Sequence, residues 1–182
     1  MNEFNRLIAP FARRVSNLLA RGSVAAVDAA RKMQVLQVRL LAGEVKDGVE
    51  HFEPYGFTSH PQTGAEALGA FFDGDRSHGV VICVADRRYR LTGLAAGEMA
   101  IHDDQGQKVH LTRSGIVVVS PVVTVQAATK VRMETPLLEV TGEINDRCNS
   151  GGKTMSGMRS TYNGHTHSDP QGGSVSTPTP AM

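Results

Sequence analysis

The sequence reads VHLTRSGIVVVSPVVTVQAATKVRM from Val109 to Met133, and this stretch decides the fold. Its odd-numbered positions are mostly apolar and most of its even-numbered positions are polar, which is the pattern of a strand with one buried face. The alternation keeps one phase over a length far beyond a typical strand of about 5–6 residues. Turns that preserve the phase are therefore expected to interrupt it.

A weak repeat follows in the same region. Ser120-Pro121-Val122-Val123-Thr124-Val125 resembles Thr135-Pro136-Leu137-Leu138-Glu139-Val140. The offset is odd, so the inward phase is expected to move to even positions such as Leu138, Val140 and Ile144. Repeats of one strand and one turn indicate a solenoid-like β structure.

No aromatic residue occurs between Tyr89 and Tyr162. A single ribbon with one apolar face cannot bury that face by itself. Three intertwined chains form a three-sided prism, and its narrow interior suits aliphatic side chains better than rings. The sequence therefore favours a trimeric prism over residues 96–150, and the alternative is an ordinary β-sandwich with aliphatic filling.

The first half of the chain has a different composition. Residues 1–21 show apolar residues at helical spacing, so they predict a helix that packs either on its own domain or on a partner protein. Residues 22–95 predict a small β domain, with strands over 33–40 and 79–85. Its aromatic residues are expected to fill the interior of that domain. These aromatic residues, with two from the helix, are Phe4, Phe11, Phe52, Tyr55, Phe57, Phe71, Phe72 and Tyr89.

Composition excludes several classes of protein. The 182 residues carry a formal net charge of +1, so no strong field directs the chain to nucleic acid or to an anionic membrane. The two cysteines, Cys83 and Cys148, match no metal or redox spacing and are expected to be reduced. No apolar run is long enough to cross a membrane, and no signal peptide is recognised, so synthesis and retention in a cytoplasm are expected.

The last segment, 151–182, is rich in Gly, Ser, Thr and Pro and contains His165 and His167. Two histidines at i and i+2 on an extended backbone point to the same side, about 7 Å apart along the chain. One chain offers two metal ligands, whereas a stable site needs about four to six. Three copies on one axis would supply six imidazoles. The alternative is a disordered tail with two solvated histidines.

Several of these segments resemble the Mu-type baseplate spike proteins of contractile-tailed phages, also called baseplate assembly protein V. The resemblance covers most of the chain. It is carried by Tyr55–Pro61 with Gly64-Ala65-Glu66, by Gly74–Val81, by Gly93–Glu98, and most specifically by Tyr162-Asn163-Gly164-His165-Thr166-His167.

The resemblance implies a mainly β fold with an N-terminal OB-fold domain, an intertwined trimeric β-helix and a pointed C-terminal metal-binding tip. His165 and His167 of three chains are then expected to hold one iron ion in octahedral array, although spacing alone does not distinguish iron from nickel. The implied protein is the central spike of a baseplate. Such a protein is expected to pierce the host outer membrane and to contact other baseplate and tail hub proteins through its N-terminal region. It is expected to reside in the virion, after assembly in the host cytoplasm.

Two other functions compete with this one. A muramidase needs two carboxylates about a cleft, but the pairs Asp73/Asp75 and Asp103/Asp104 lie in predicted turns, so no enzyme is expected. A trimeric receptor-binding tail fibre or adhesin shares the β-helix and the metal-bound tip. Such proteins present broad binding surfaces, whereas this tip offers one aromatic residue, Tyr162.

Overall fold

The computed structural model describes residues 3–179, so Met1 and Asn2 of the predicted helix and residues 180–182 of the predicted tip lie outside the described residues. The chain divides into two compact units, Met1–Val123 and Thr124–Met182, and each is described by itself. The domain boundaries expected after residues 21, 95 and 150 remain predictions.

The helix predicted near the N-terminus is present as α1, Glu3–Asn17, with Pro10 inside it. Its last turn lies beside residues 72–74 of the same unit, where Arg14 Nη1 lies 3.9 Å from a carboxylate oxygen of Asp73. Gly74 allows this contact, because a Cβ at that position would lie 2.5 Å from the Arg14 carbonyl oxygen. Leu7, Ile8, Phe11 and Val15 of this helix are exposed.

Five strands form a closed barrel in the order β1-β2-β3-β5-β4. Their bounds are β1 Leu19–Asp28, β2 Val35–Arg39, β3 Val45–His51, β4 Glu66–Phe71 and β5 Gly79–Ala85. The strands pair antiparallel except for β3 and β5, which are parallel. A five-stranded barrel of this kind is consistent with the predicted OB-like domain. The strand predicted over 79–85 is confirmed, and the one predicted over 33–40 contains β2.

The barrel interior is mostly aliphatic, and the prediction that aromatic residues fill it is confirmed for Phe71 alone among the described side chains. Of the aromatic side chains the structure describes, Phe71 is buried in the core, at 3% exposure, whereas Tyr55 is fully exposed and Phe52, Phe57 and Phe72 are at least half exposed. The largest fully buried side chains are those of Val24, Leu36 and Val81. Five short strands enclose a space that these smaller side chains fill, so the rings are left to the loops.

Phe71 fits inside because two glycines leave room for its ring. A Cβ on Gly79 would lie 2.3 Å from Phe71 Cδ1, and one on Gly69 would lie 3.0 Å from its Cε2. Gly79 is the cross-strand partner of Phe71 in the β4–β5 ladder. The glycines are therefore packing positions for the single large ring in the core.

The core also contains a polar pair that fixes the loop after β3. His51 and Gln34 are both buried. Gln34 Nε2 donates to the Ser59 carbonyl at 2.8 Å, and its Oε1 lies 3.4 Å from His51 Nδ1, which is the donor because Oε1 only accepts. Glu53 accepts from the Ser59 N–H at 2.7 Å and from the Thr58 hydroxyl at 2.9 Å. Ser59 of this loop is thus held on both sides, by Gln34 through its carbonyl and by Glu53 through its N–H.

Stability of the barrel is expected to fall as the pH drops through the ordinary pKa of histidine. Burial lowers the pKa of His51, and the nearby Glu53 carboxylate offsets this only in part. The pKa of His51 is about 6.5 in the unfolded chain and lower in the folded state. Between these two values the unfolded chain binds one proton more than the folded state. The free energy of unfolding should be flat above about pH 7.5 and decrease between about pH 7 and the folded pKa.

The measurement is the urea midpoint of the β-sheet circular dichroism signal across this pH range. His51→Leu should flatten the dependence, while His102→Leu, at an exposed position, should keep it. An unchanged slope in the His51 variant would contradict the assignment. Carboxylates with a lowered pKa, such as that of Glu53, also stabilise the folded state, but they lose this contribution only at more acidic pH. The pH range of the measurement therefore separates their effect from that of His51.

A second sheet follows the barrel, with antiparallel strands β6 Met99–His102, β7 Lys108–Leu111 and β8 Ile116–Val119 in chain order. Cross-strand partners lie on the same face, and Met99 pairs with Leu111, which pairs with Ile116. One face is therefore entirely aliphatic. Its residues are Met99, Ile101, Val109, Leu111, Ile116 and Val118, and all six are exposed, at 37% to 69%.

This register corrects the expectation that the alternation keeps one phase. Val109 and Leu111 share a face with the even positions Ile116 and Val118, not with Val117 and Val119. The reason is the turn, since Leu111 and Ile116 are partners and the four residues Thr112–Gly115 lie between them. A turn with an even number of residues exchanges odd and even positions between the two strands.

Residues 121–151 continue the apolar alternation, and every one of them is exposed. Their aliphatic side chains include Val123 at 63% and Leu138 at 58% exposure. Within this described segment the only pairing assigned is the isolated bridge from Asn145 to Thr154. A single chain thus provides neither cross-strand partners nor a cover for these side chains.

Candidate metal-binding tip

The segment before the two histidines forms a helix, α2, Met155–Gly164, although its composition does not predict one. Thr154 caps it, because its Oγ1 accepts from the Gly157 N–H at 3.0 Å. A threonine at this position favours the start of a helix. Gly157 and Gly164, however, are weak helix formers, and the composition of the whole segment is typical of disorder.

The chain before α2 folds back and supports its first turn. Met155 N donates to the Ile144 carbonyl at 2.9 Å, and Lys153 N donates to Asp146 Oδ1, also at 2.9 Å. The hydrogen bond from Ser156 lowers the pKa of Glu143. Gly152 is needed for this return, since a Cβ there would lie 1.7 Å from the Asp146 carbonyl oxygen.

His165 ends α2 and is oriented by the helix. Its Nδ1 lies 2.5 Å from the Tyr162 carbonyl oxygen, and the rings of the two residues are 5.3 Å apart. A carbonyl oxygen only accepts, so Nδ1 carries the proton and the lone pair of the imidazole is on Nε2. The ring is therefore held in the form in which Nε2 is able to bind a metal ion.

His167 lies beside His165. The ring centroids are 5.0 Å apart and the planes meet at 81°. The backbone at His165 is extended, with φ −75° and ψ 149°. The two imidazoles are thus close together, as their i and i+2 spacing predicts, while the assignment of a metal to them remains a prediction.

A short turn closes the chain behind His167. Val175 N donates to the His167 carbonyl at 3.1 Å, and Asp169 N donates to the Gly173 carbonyl at 2.9 Å. The Asp169 carboxylate accepts from the Gln171 N–H at 2.9 Å. Asp169 thus serves the turn, and the turn fixes the backbone on the C-terminal side of the histidines.

One chain does not complete a metal site here. Within residues 3–179 no group of three or more His, Cys, Asp or Glu side chains lies close enough to hold an ion. Two imidazoles form half or less of a stable coordination shell. The donor set fits a metal ion only if further ligands come from outside the chain.

None of the helices described for this chain combines the length and the apolar character required to cross a lipid bilayer.

Comparison with known proteins gives three matches. Residues 21–88 match the family model described as Bacteriophage Mu Gp45, N-terminal. The chain is 40% identical over 141 residues to the baseplate puncturing device gp45 of Escherichia phage Mu, covering 77% of this chain and 72% of that protein. It is 39% identical over 120 residues to the Mu-like prophage FluMu protein gp45 of Haemophilus influenzae, covering 66% of this chain and 65% of that protein.

Proposed function

Because the chain belongs to the Bacteriophage Mu Gp45 family of baseplate spike proteins, we propose that it is the central spike of a contractile tail baseplate. In this role it resides at the centre of the virion baseplate, takes part in baseplate assembly in the host cytoplasm, and contacts other baseplate and tail hub proteins through its N-terminal region. When the sheath contracts, the spike pierces the host outer membrane. The work is mechanical, and no bond in the host is hydrolysed.

The observation that carries the proposal is the uncovered aliphatic face of the β6–β8 sheet. Six aliphatic side chains on one side of a three-stranded sheet are exposed in the single chain. An exposed apolar surface of this extent marks an interface. Three copies that turn this face to a common axis would bury it, and the homotrimer follows from that arrangement.

Residues 121–151 add to the proposal as an intertwined β-helix. These residues alternate apolar and polar side chains and lack strand partners in the described single chain. Strands from two other copies would satisfy both the backbone groups and the apolar side chains. A stem of this kind resists bending and unravelling, because no chain leaves it without breaking hydrogen bonds to both others.

At the tip, His165 and His167 of three copies would hold one iron ion with six imidazole nitrogens. Support comes from the two neighbouring rings and from Nε2 of His165, which the Tyr162 carbonyl leaves free. Six imidazoles suit an octahedral ion such as iron, and tetrahedral zinc less. The bound ion would tie together three chain ends where fraying otherwise begins.

Sedimentation velocity of the purified protein is expected to give a trimer of the 19.5 kDa chain. The expectation follows from the exposed aliphatic face, whose burial requires other copies. The measurement is made with excess chelator in parallel as a control, because the stem should keep the trimer without metal. A stable monomer in both samples would contradict the proposed spike.

A further inference from the structure

The sequence of β8 does not by itself decide which side of the strand joins the aliphatic face of the sheet. The strand reads Ile-Val-Val-Val from Ile116 to Val119, so its residues on both sides are β-branched and apolar. A slip of β8 by one residue along β7 would place Val117 and Val119 on the aliphatic face. The hydrophobic pattern therefore leaves the register open, and another feature of the chain has to fix it.

The turn between β7 and β8 satisfies three of its four backbone N–H groups by itself. Thr112 N donates to the Gly115 carbonyl at 2.8 Å. The Thr112 hydroxyl oxygen accepts from the N–H groups of Ser114 and Gly115, at 3.2 and 3.1 Å. The fourth donor, Arg113 N, donates to Glu98 Oε1 at 3.2 Å. Glu98 thus holds the backbone of this turn from outside it.

The Glu98 carboxylate also binds β7 and the turn that precedes β6. Its Oε2 accepts from Ala95 N at 2.9 Å and lies 3.2 Å from His110 Nε2, which is the donor because a carboxylate only accepts. Glu98 N donates in return to the Ala95 carbonyl at 3.1 Å, and its side chain is 12% exposed. The hydrogen bond from Ala95, followed by those from Arg113 and His110, holds the pKa of Glu98 below its ordinary value despite partial burial. The carboxyl group is therefore charged at neutral pH.

A second contact joins the same two turns. Gly97 has a φ of +83°, and a Cβ at this position would lie 2.6 Å from Arg113 Nη1. Arg113 therefore contacts the turn before β6 twice, with its backbone N–H at Glu98 and with its side chain at Gly97. A slip of β8 would lengthen or shorten the β7–β8 turn by one residue, and the backbone at Arg113 would then follow a different path. Both contacts would be lost in a slipped register.

We propose that Glu98 selects the register of β8 by fixing the β7–β8 turn against the turn that precedes β6. It is a positioning residue, which acts from the face of the sheet opposite the aliphatic one, where His110 also lies. Its removal would leave the Arg113 N–H without its acceptor and bring the registers closer in free energy. This inference concerns the single chain. Its consequence for assembly, that Ile116 and Val118 face the common axis, rests on the proposed trimer.

Pairs of cysteines across β7 and β8 report the register in the full chain. Lys108 and Val119 are cross-strand partners, so Lys108→Cys with Val119→Cys should form a disulfide within one chain on mild oxidation. A slip by one residue would instead place Val118 or Ser120 opposite Lys108. Lys108→Cys combined with Val118→Cys, or with Ser120→Cys, therefore reports the two slipped registers. Peptide mapping of the single-chain product gives the yield of each disulfide.

All variants are made in a Cys83→Ser, Cys148→Ser background, which removes two exposed thiols. With Glu98 in place, the partner pair should be trapped in clear excess over both slipped pairs. Glu98→Ala should raise the yield of a slipped pair relative to the partner pair by about tenfold or more, as expected for the loss of hydrogen bonds to a charged acceptor. Glu139→Ala, which removes an exposed carboxylate outside the sheet, is the control and should leave the yields unchanged.

Glu98→Gln keeps the size of the side chain and one acceptor oxygen, so it tests the proposal even where Glu98→Ala prevents the sheet from folding. It should shift the yields in the same direction. Yields that match those of the parent in both Glu98 variants would overturn the role of Glu98. The parent is also sedimented, and a monomer that still forms the partner disulfide would overturn the proposed trimer instead, so the two failures are distinguishable.

Discussion

Val118→Asp is expected to leave the protein monomeric, whereas Val117→Asp is expected to keep the trimer. The two valines are neighbours on β8 with similar exposure in the single chain, 53% and 46%. Val118 lies on the all-aliphatic face with Val109, and Val117 lies on the opposite face with His110. Three carboxylates introduced around the proposed axis would each cost several kcal/mol to bury without partners.

Sedimentation velocity and circular dichroism of the two variants decide the matter. The barrel is expected to stay folded in both, because its core is formed by other residues such as Leu36 and Val81. Val117→Asp is the control for β propensity, since the same substitution is made one position away on the same strand. A trimer from Val118→Asp would show that the aliphatic face is not the interface. Monomers from both variants would instead attribute the loss of the trimer to the effect of aspartate on strand β8.

The double change His165→Ala, His167→Ala is expected to abolish metal binding and leave the stem folded. The protein should contain about one iron ion for every three chains, and the variant should contain none above background. The stem should survive because its aliphatic side chains, not the ion, supply most of the buried apolar area. Elemental analysis and sedimentation of the same preparations give both quantities.

His60→Ala, His102→Ala is a matched control that removes two other exposed histidines, and it should retain the metal. Zinc at one ion per chain in the unmodified protein would indicate a different site. Complete unfolding of the His165→Ala, His167→Ala variant would contradict the proposal that the stem supplies most of the stability.

A strand that is defined by a local pattern of residues can be predicted from the sequence. β5 was predicted at its observed bounds because Gly79 begins a continuous run of β-branched and small apolar residues. The pairing of His165 with His167 followed from the geometry of i and i+2 positions on an extended backbone. Both features depend on neighbours in the chain, which a sequence shows directly.

Features that depend on distant residues or on the backbone cannot be predicted from the sequence in this way. The sequence predicts that the aromatic residues of the first half lie in the core. The amino-acid type alone does not distinguish an aromatic residue in a loop, such as Tyr55, from one in the core. The Tyr162 carbonyl that orients His165 is a backbone group present in every residue. Helix α2 was missed because its cap is a single threonine followed by glycine and serine.

The turn between β7 and β8 constrains how this protein can evolve in length. Because Leu111 and Ile116 lie opposite each other across the turn, a deletion or insertion of one residue keeps Ile116 and Val118 on the aliphatic face only when the turn itself absorbs the change. A slip of β8 by one residue would put Val117 and Val119 on that face instead. A β-bulge nearby would restore the pairing after such a slip. The turn thus determines which valines reach a surface that the turn itself does not touch.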